Sequence, residues 1–142
     1  TIDIGYPNIN GSVTLTVDAQ SQMIDETQSN TPLTISGLND SMQARVEARK
    51  SGDNWIVTSL KRRDLQNEYE IKGIVSSKTA NTSLTVNGLV INLSPTANYK
   101  IDAVDKTAAE FFSAVVVGTT KVELEDGIGN GDGQFDEAEI SN

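Results

Sequence analysis

The chain has 142 residues, no cysteine, no histidine and a formal net charge of −9. It therefore holds no disulfide framework, no thiolate nucleophile, no imidazole metal ligand and no Ser-His-Asp or Cys-His catalytic pair. So acidic a chain opposes phosphate backbones and anionic membrane surfaces, and no apolar run is long enough to cross a bilayer as a helix.

Taken in order, residues 1–9 alternate Ile2, Ile4 and Tyr6 with other types and read as an edge strand ending at Pro7. Asn10-Gly11 is a turn signal that would fold this segment back onto 12–17, where Val13, Leu15 and Val17 share one face. Residues 18–32 are polar, apart from Met23-Ile24, and read as a loop with at most one helical turn. A short strand is expected at 33–36, ended by Gly37. Residues 43–49 and 54–60 form a hairpin around Ser51-Gly52-Asp53. The charged stretch 61–68 lacks alternation and marks a boundary between two units, 1–66 and 67–142.

In the second unit, residues 69–78 alternate Tyr69, Ile71, Gly73 and Val75 on one face, with Gly73 suggesting a bulge or bend. Strands at 82–86 and 89–93 flank Asn87-Gly88, the favoured chemistry of a two-residue type I′ turn. A strand over 97–101 follows, and then a helix over 105–112, which Asp105 can cap and whose apolar side is Ala108, Ala109, Phe111 and Phe112. Strands over 114–125 and 134–140 close the unit.

One hairpin is written twice. Val46-Glu47 matches Val122-Glu123, and Trp55 and Leu60 match Phe135 and Ile140 at the same spacing. The fold class expected is mainly β, with two tandem small barrel or sandwich units. The first is abbreviated. The second is OB-like, with its short helix between the third or fourth strand and the closing strands. Trp55 and Phe135 are expected as equivalent core anchors.

The second unit reads Y-E-I-K-G-I-V-S-S, then S-L-T-V-N-G-L-V-I-N-L, then V-x-L-E followed by D-G-Q-F. In these runs it resembles the bacterial domain-of-unknown-function 5666 family, tandem β repeats of exported proteins and lipoproteins. The resemblance covers 69–141 well, reaches 42–66 through V-E-A-R-K-S-G-D-N-W-I-V-T-S-L and hardly touches 1–30. It implies a compact barrel and an extracytoplasmic setting, whether periplasmic, cell-surface or secreted; that Thr1 is not an initiator Met agrees with export. It brings no catalytic residue.

The segment 126–139 is the one with site-like chemistry, because calcium wants several oxygen ligands from a glycine-rich loop. Asp126, Asn130, Asp132, Asp136 and Glu139 are its candidate metal ligands. In calcium-loop register Asn130, Asp132 and Glu139 fall at ligand positions, but the first position falls on Ile128, which cannot ligate. A solvated acidic hairpin explains the same residues. The basic residues Arg45, Arg49, Lys50, Lys61, Arg62 and Arg63 sit on the first hairpin, where they form an ordinary charged surface or meet an acidic partner. Glu123/Glu125 and Glu137/Glu139 are spaced to share exposed strand faces.

The expected function is a non-enzymatic structural or interaction module with no required cofactor. It self-associates by strand addition into an oligomer or filament, or binds another protein, without nucleic acid and without membrane insertion. A calcium-dependent binding module and, more remotely, a carboxylate-based glycan enzyme are the alternatives.

Overall fold

The computed structural model describes residues 1–127 and 132–142. Among the described residues the protein is mainly β, with one short α-helix. Its residues form two compact units: Thr1–Ile4 with Thr14–Gln66, and Gly5–Val13 with Asn67–Asn142.

In the first unit, β1 (Ile2–Ile4) pairs with β2 (Val13–Leu15), and the Thr14 hydroxyl donates to the Asp3 carboxylate at 2.5 Å. The N-terminal strand thus pairs within its own chain. It does so without an Asn10-Gly11 hairpin, since residues 5–13 belong to the other unit. β3 (Gln22–Asp25), β4 (Thr31–Pro32), β5 (Gln43–Ser51) and β6 (Asn54–Arg63) form a four-stranded sheet in the order β4-β3-β6-β5. β6 is central: β3 lies parallel to it, with Met23 opposite Leu60, and β5 antiparallel, with Val46 opposite Leu60. Leu15, Val57 and Leu60 are buried, and Thr16 ties β2 to β6 through Thr16 N to Trp55 O at 2.8 Å and Val57 N to Thr16 O at 2.9 Å.

The second unit comprises β7 (Tyr69–Thr79), β8 (Ser83–Val86), β9 (Leu89–Ile101), β10 (Val104–Lys106), α1 (Ala108–Ala114), β11 (Lys121–Asp126) and β12 (Gln134–Ile140). β8 pairs with both β7 and β9, β9 runs parallel to β12, β12 is antiparallel to β11, and β11 returns to β7. The result is a closed five-stranded barrel, which leaves none of those five strands with an open side. Alternate residues of each strand fill the interior, among them Ile71, Val75, Leu84, Val86, Ile91, Val122, Leu124 and Phe135. From α1, Phe111 and Phe112 enter this core and meet Tyr99, with ring centroids 5.2 and 6.1 Å away. The Lys78 ammonium donates to the Phe112 and Val115 carbonyls at 2.7 Å each, pairing acceptors that the end of a helix leaves free. From the N-terminal segment, Tyr6, Ile9 and Val13 pack against the same core.

Several expectations need correction. Residues 33–36 are not a strand; Ile35–Gly37 make a single helical turn. Residues 18–32 hold β3 and β4 besides the helical turn at Glu26–Gln28. α1 is capped by Thr107, not Asp105. The Thr107 hydroxyl accepts from Glu110 N, and the Glu110 carboxylate accepts from Thr107 N at 2.8 Å, a reciprocal box that outcompetes a single acceptor upstream. Asp105 lies in β10, opposite Lys100. The strand expected over 114–125 begins only at Lys121, because Thr120 folds back, its hydroxyl accepting from Val116 N at 2.8 Å. The bulge in β7 falls between Val75 and Ser77, not at Gly73. Phe135 is a core anchor at 2% exposure, whereas Trp55 is only half-buried.

Candidate functional site

β5 is the last strand of its sheet. β6 occupies one side, and among the described residues no strand pairs with the other. Nine residues of edge, about 30 Å of extended chain, therefore offer their outward N–H and C=O groups. Arg45, Glu47 and Arg49 are exposed on one face of β5, and Ala44, Val46 and Ala48 are half-buried on the other. In the second unit, β11 is likewise antiparallel to its hairpin partner β12, but its other side is taken by β7, with Leu124 opposite Ile71.

The charged face of the first hairpin bounds a polar cleft of about 240 Å³ lined by Glu26, Arg45, Glu47, Ser59, Lys61 and Arg63. Arg45 stands opposite Lys61, and Glu47 opposite Ser59. The ion pairs here are long: Arg45–Glu47 3.9 Å, Lys61–Glu26 3.7 Å and Arg63–Glu26 3.9 Å. Pairs this long and this open to water contribute little to stability and exchange readily. Arg62 points to the opposite face and makes a tight contact, its guanidinium donating to the buried Asp25 carboxylate at 2.7 Å. The predicted basic cluster is thus divided. Arg45, Lys61 and Arg63 share the cleft, Arg62 serves the fold, and the Lys50 ammonium lies 6.0 Å from the Trp55 ring centroid.

Asp25 and Glu26 are the two residues that sequence reasoning missed here. Asp25 accepts from Thr27 N at 3.0 Å and from the Thr27 hydroxyl at 2.5 Å, capping the turn that presents Glu26 to Lys61 and Arg63. The D-x-T spacing was the available signal. The Thr27 hydroxyl, and after it Arg62, hold the Asp25 carboxyl below the usual range.

The barrel's outer wall carries the opposite sign. Carboxylate oxygens of Glu70, Glu123 and Glu125 all lie within 4.8 Å of one another. Lys72 bridges two of them, 3.0 Å from Glu70 and 2.9 Å from Glu123, and Lys100 pairs with Glu137 at 2.9 Å. Burial first, and then the Glu123, Glu70 and Glu137 carboxylates, raise the Glu125 carboxyl above its ordinary value. With Lys72 inserted, the cluster is a mixed-charge network of strand neighbours.

Of the candidate calcium ligands, Asn130 lies outside the described residues. Asp126 is buried at the end of β11, opposite Tyr69. Asp132 accepts from Gln134 N at 2.8 Å, and Asp136 from Gly127 N at 3.0 Å, so both brace the hairpin turn. Glu139 accepts from Ala103 N at 3.2 Å and stands opposite Glu123. The extended strand carries Glu139 about 20 Å along from Asp132. The structure brings Asp132 and Asp136 to one turn and takes Glu139 away from it.

No family model matches this chain, and no curated protein or solved structure does either.

Proposed function

We propose that this protein is a non-enzymatic structural and interaction module, working outside the cytoplasm and assembling by β-strand addition. The observation that carries the reading is the open side of β5. A vacant strand edge recruits another strand through main-chain hydrogen bonds, with side-chain pockets or charges setting the choice of partner.

The two units support a tandem reading. In each, a hairpin has an antiparallel first strand and a second strand that also runs parallel to an earlier one: β5, β6 and β3 in the first, β11, β12 and β9 in the second. Val46 opposite Leu60 corresponds to Val122 opposite Ile140, as the written repeat requires. The circuit β7-β8-β9-β12-β11 and the position of α1 before β11 favour an OB-like assignment for the second unit. On that reading the first unit, Thr1–Ile4 with Thr14–Gln66, is the same design without a counterpart of β7, and a strand from another molecule fills the vacancy. The extracytoplasmic setting rests on the resemblance to exported tandem repeats, and the non-enzymatic assignment on the missing histidine and cysteine.

Size-exclusion chromatography with light scattering over a wide concentration range, together with electron microscopy of the same sample, tests the reading. The expected result is a species of two or more chains that forms reversibly. A monomer at every concentration refutes self-assembly. Assembly only upon addition of a second protein reassigns the donor strand to that protein.

A further inference from the structure

We infer that the strand which fills the open side of β5 is β5 of a second copy, antiparallel about a twofold axis at Val46, with Arg45 opposite the partner's Glu47. The inference rests on the strand-addition reading and specifies its partner and register.

Three requirements select this arrangement. The first is that directly opposite residues of an antiparallel pair lie on the same face of the sheet. A second β5 that continues the sheet must therefore set its own Ala44, Val46 and Ala48 against the half-buried face and its Arg45, Glu47 and Arg49 against the charged face. Only registers that place a residue on the axis do so.

The second requirement is charge. With Glu47 on the axis, two glutamates face each other and Arg45 faces the partner's Arg49 twice. With Arg45 on the axis, two arginines collide. With Val46 on the axis, Arg45 faces the partner's Glu47, and Glu47 faces the partner's Arg45. Gln43 faces the partner's Arg49, which is polar and uncharged against cationic. Opposite charges directly across a strand pair are favourable, and like charges are not.

The third requirement is the inner face. The Val46 register sets Val46 against its own copy and Ala44 against the partner's Ala48, so apolar meets apolar from 44 to 48, and the exposed Lys50 falls beyond that row, opposite the partner's Met42. Two other registers are charge-compatible: with Ala44 on the axis only Gln43–Arg45 of β5 overlap, and with Ala48 on the axis Val46 faces the partner's Lys50. The first makes too short a ladder, and the second sets an ammonium inside the apolar row; both lose to the Val46 register.

Edge strands are commonly guarded by charged side chains, Lys above all, and a row of one sign repels a second copy through its like charges. β5 alternates basic, acidic, basic at Arg45, Glu47 and Arg49, and that alternation is self-complementary in one register. The existing Arg45–Glu47 contact within the chain, 3.9 Å long and exposed, gives up little on being exchanged for a cross-strand pair. The interface is isologous and closes at two copies, joining two four-stranded sheets into one.

Charge reversal tests the register. Arg45→Glu and Glu47→Arg are each expected to weaken dimerisation by about tenfold or more, because each creates two like-charge contacts at once. An equimolar mixture of the two variants is expected to dimerise, since two glutamates then face two arginines. The double variant carrying both changes is expected to recover dimerisation alone. Circular dichroism and melting of each variant as a monomer check that the fold is intact, which the exposure of both side chains favours. The chain has no cysteine, so Val46→Cys provides a clean probe. Mild oxidation is expected to give a covalent dimer, and adding Arg45→Glu to that variant is expected to prevent it. Assembly that is indifferent to both single reversals, or a mixture that stays monomeric, overturns the β5 pairing while leaving strand-addition assembly in place. A wild-type protein that is monomeric at all concentrations overturns both.

Discussion

The Tyr6 hydroxyl donates to the main-chain carbonyl of Glu70 at 2.9 Å, across 64 positions of sequence. The same ring meets Phe135 edge-on, with centroids 6.1 Å apart. A segment that reads as half of an edge strand is therefore a lid on the barrel core. Burial, and then the Glu70 carboxylate, push the Tyr6 phenol up to about 12.

The folded value lies above the unfolded one, so the protonated phenol contributes stability that is complete below the unfolded value near 10 and is lost as pH rises through about 12. Urea denaturation as a function of pH is expected to show wild-type stability falling over that window by up to about 1.4 kcal/mol per pH unit more than in Tyr6→Phe. At neutral pH, Tyr6→Phe is expected to cost about 1 kcal/mol for the lost hydrogen bond. Parallel alkaline profiles for the two proteins would show that the phenol is solvated.

Phe135 and Trp55 hold matching places in the written repeat but not in the packing. Phe135→Ala is expected to destabilise the second unit by about 3–5 kcal/mol, as large truncations in a closed core do. Trp55→Ala, removing a half-buried ring with an ammonium beside it, is expected to cost the first unit about 1–2 kcal/mol. Denaturant melts of the two variants provide the comparison. Equal losses would contradict the difference in burial.

Asp25 joins the end of β3 to β6 through Arg62 and caps the next turn through Thr27. Its carboxyl is held below the usual range, so its contribution is present above the unfolded value and is lost as pH falls through the lower, folded one. Asp25→Asn is expected to lower the melting temperature at pH 7 and to flatten the acid limb of the stability profile. A variant that melts like wild type at pH 7 would show the carboxylate to be idle.

Gly73 has no bulge to form, yet a side chain there has no room. A Cβ would stand 2.5 Å from Asn87 Oδ1 and 2.7 Å from Val86 Cγ1. The Asn87 amide crosses the glycine to donate to Lys72 O at 3.0 Å. Gly73→Ala is expected to cost about 1–3 kcal/mol by overpacking. Asn87→Gly in the same background should recover part of that loss, since it removes the nearest obstruction; double-mutant analysis of denaturant melts measures the coupling.

The elements legible in the sequence are those whose cause is local. Asn87 and Gly88 take positive φ, 51° and 85°, as a type I′ turn demands; β8 lies where it was read, whereas the strands read separately over 89–93 and 97–101 are one, β9. The closing strand read over 134–140 is β12. β3 was not legible, since its four residues become a strand only by pairing parallel to β6, 37 positions away. The cap of α1 was written in Thr107 and Glu110, but Asp105 offered a competing signal, which its place in the tight β9–β10 hairpin opposite Lys100 resolves. In the candidate site, the charged residues of the first hairpin were visible. That the first unit is short of a strand was visible too; that the vacancy falls beside β5 was not, because an edge is defined by what fails to arrive beside it.

The division of the chain also sets an order in time. Residues 5–13 belong with 67–142, and the backbone of Asn8 occupies the space where a Cβ at Gly133 would fall, 2.6 Å from the Asn8 carbonyl oxygen. During synthesis from the N-terminus this segment emerges early and then waits for the last hairpin to be made before it finds its partners. The barrel's final closure is a long-loop event, slow because the intervening chain must be brought round first. For the same reason, cutting the gene between the two units gives a second half that begins life without Tyr6, with Phe135 uncovered. The protein is divisible by contacts and indivisible by sequence.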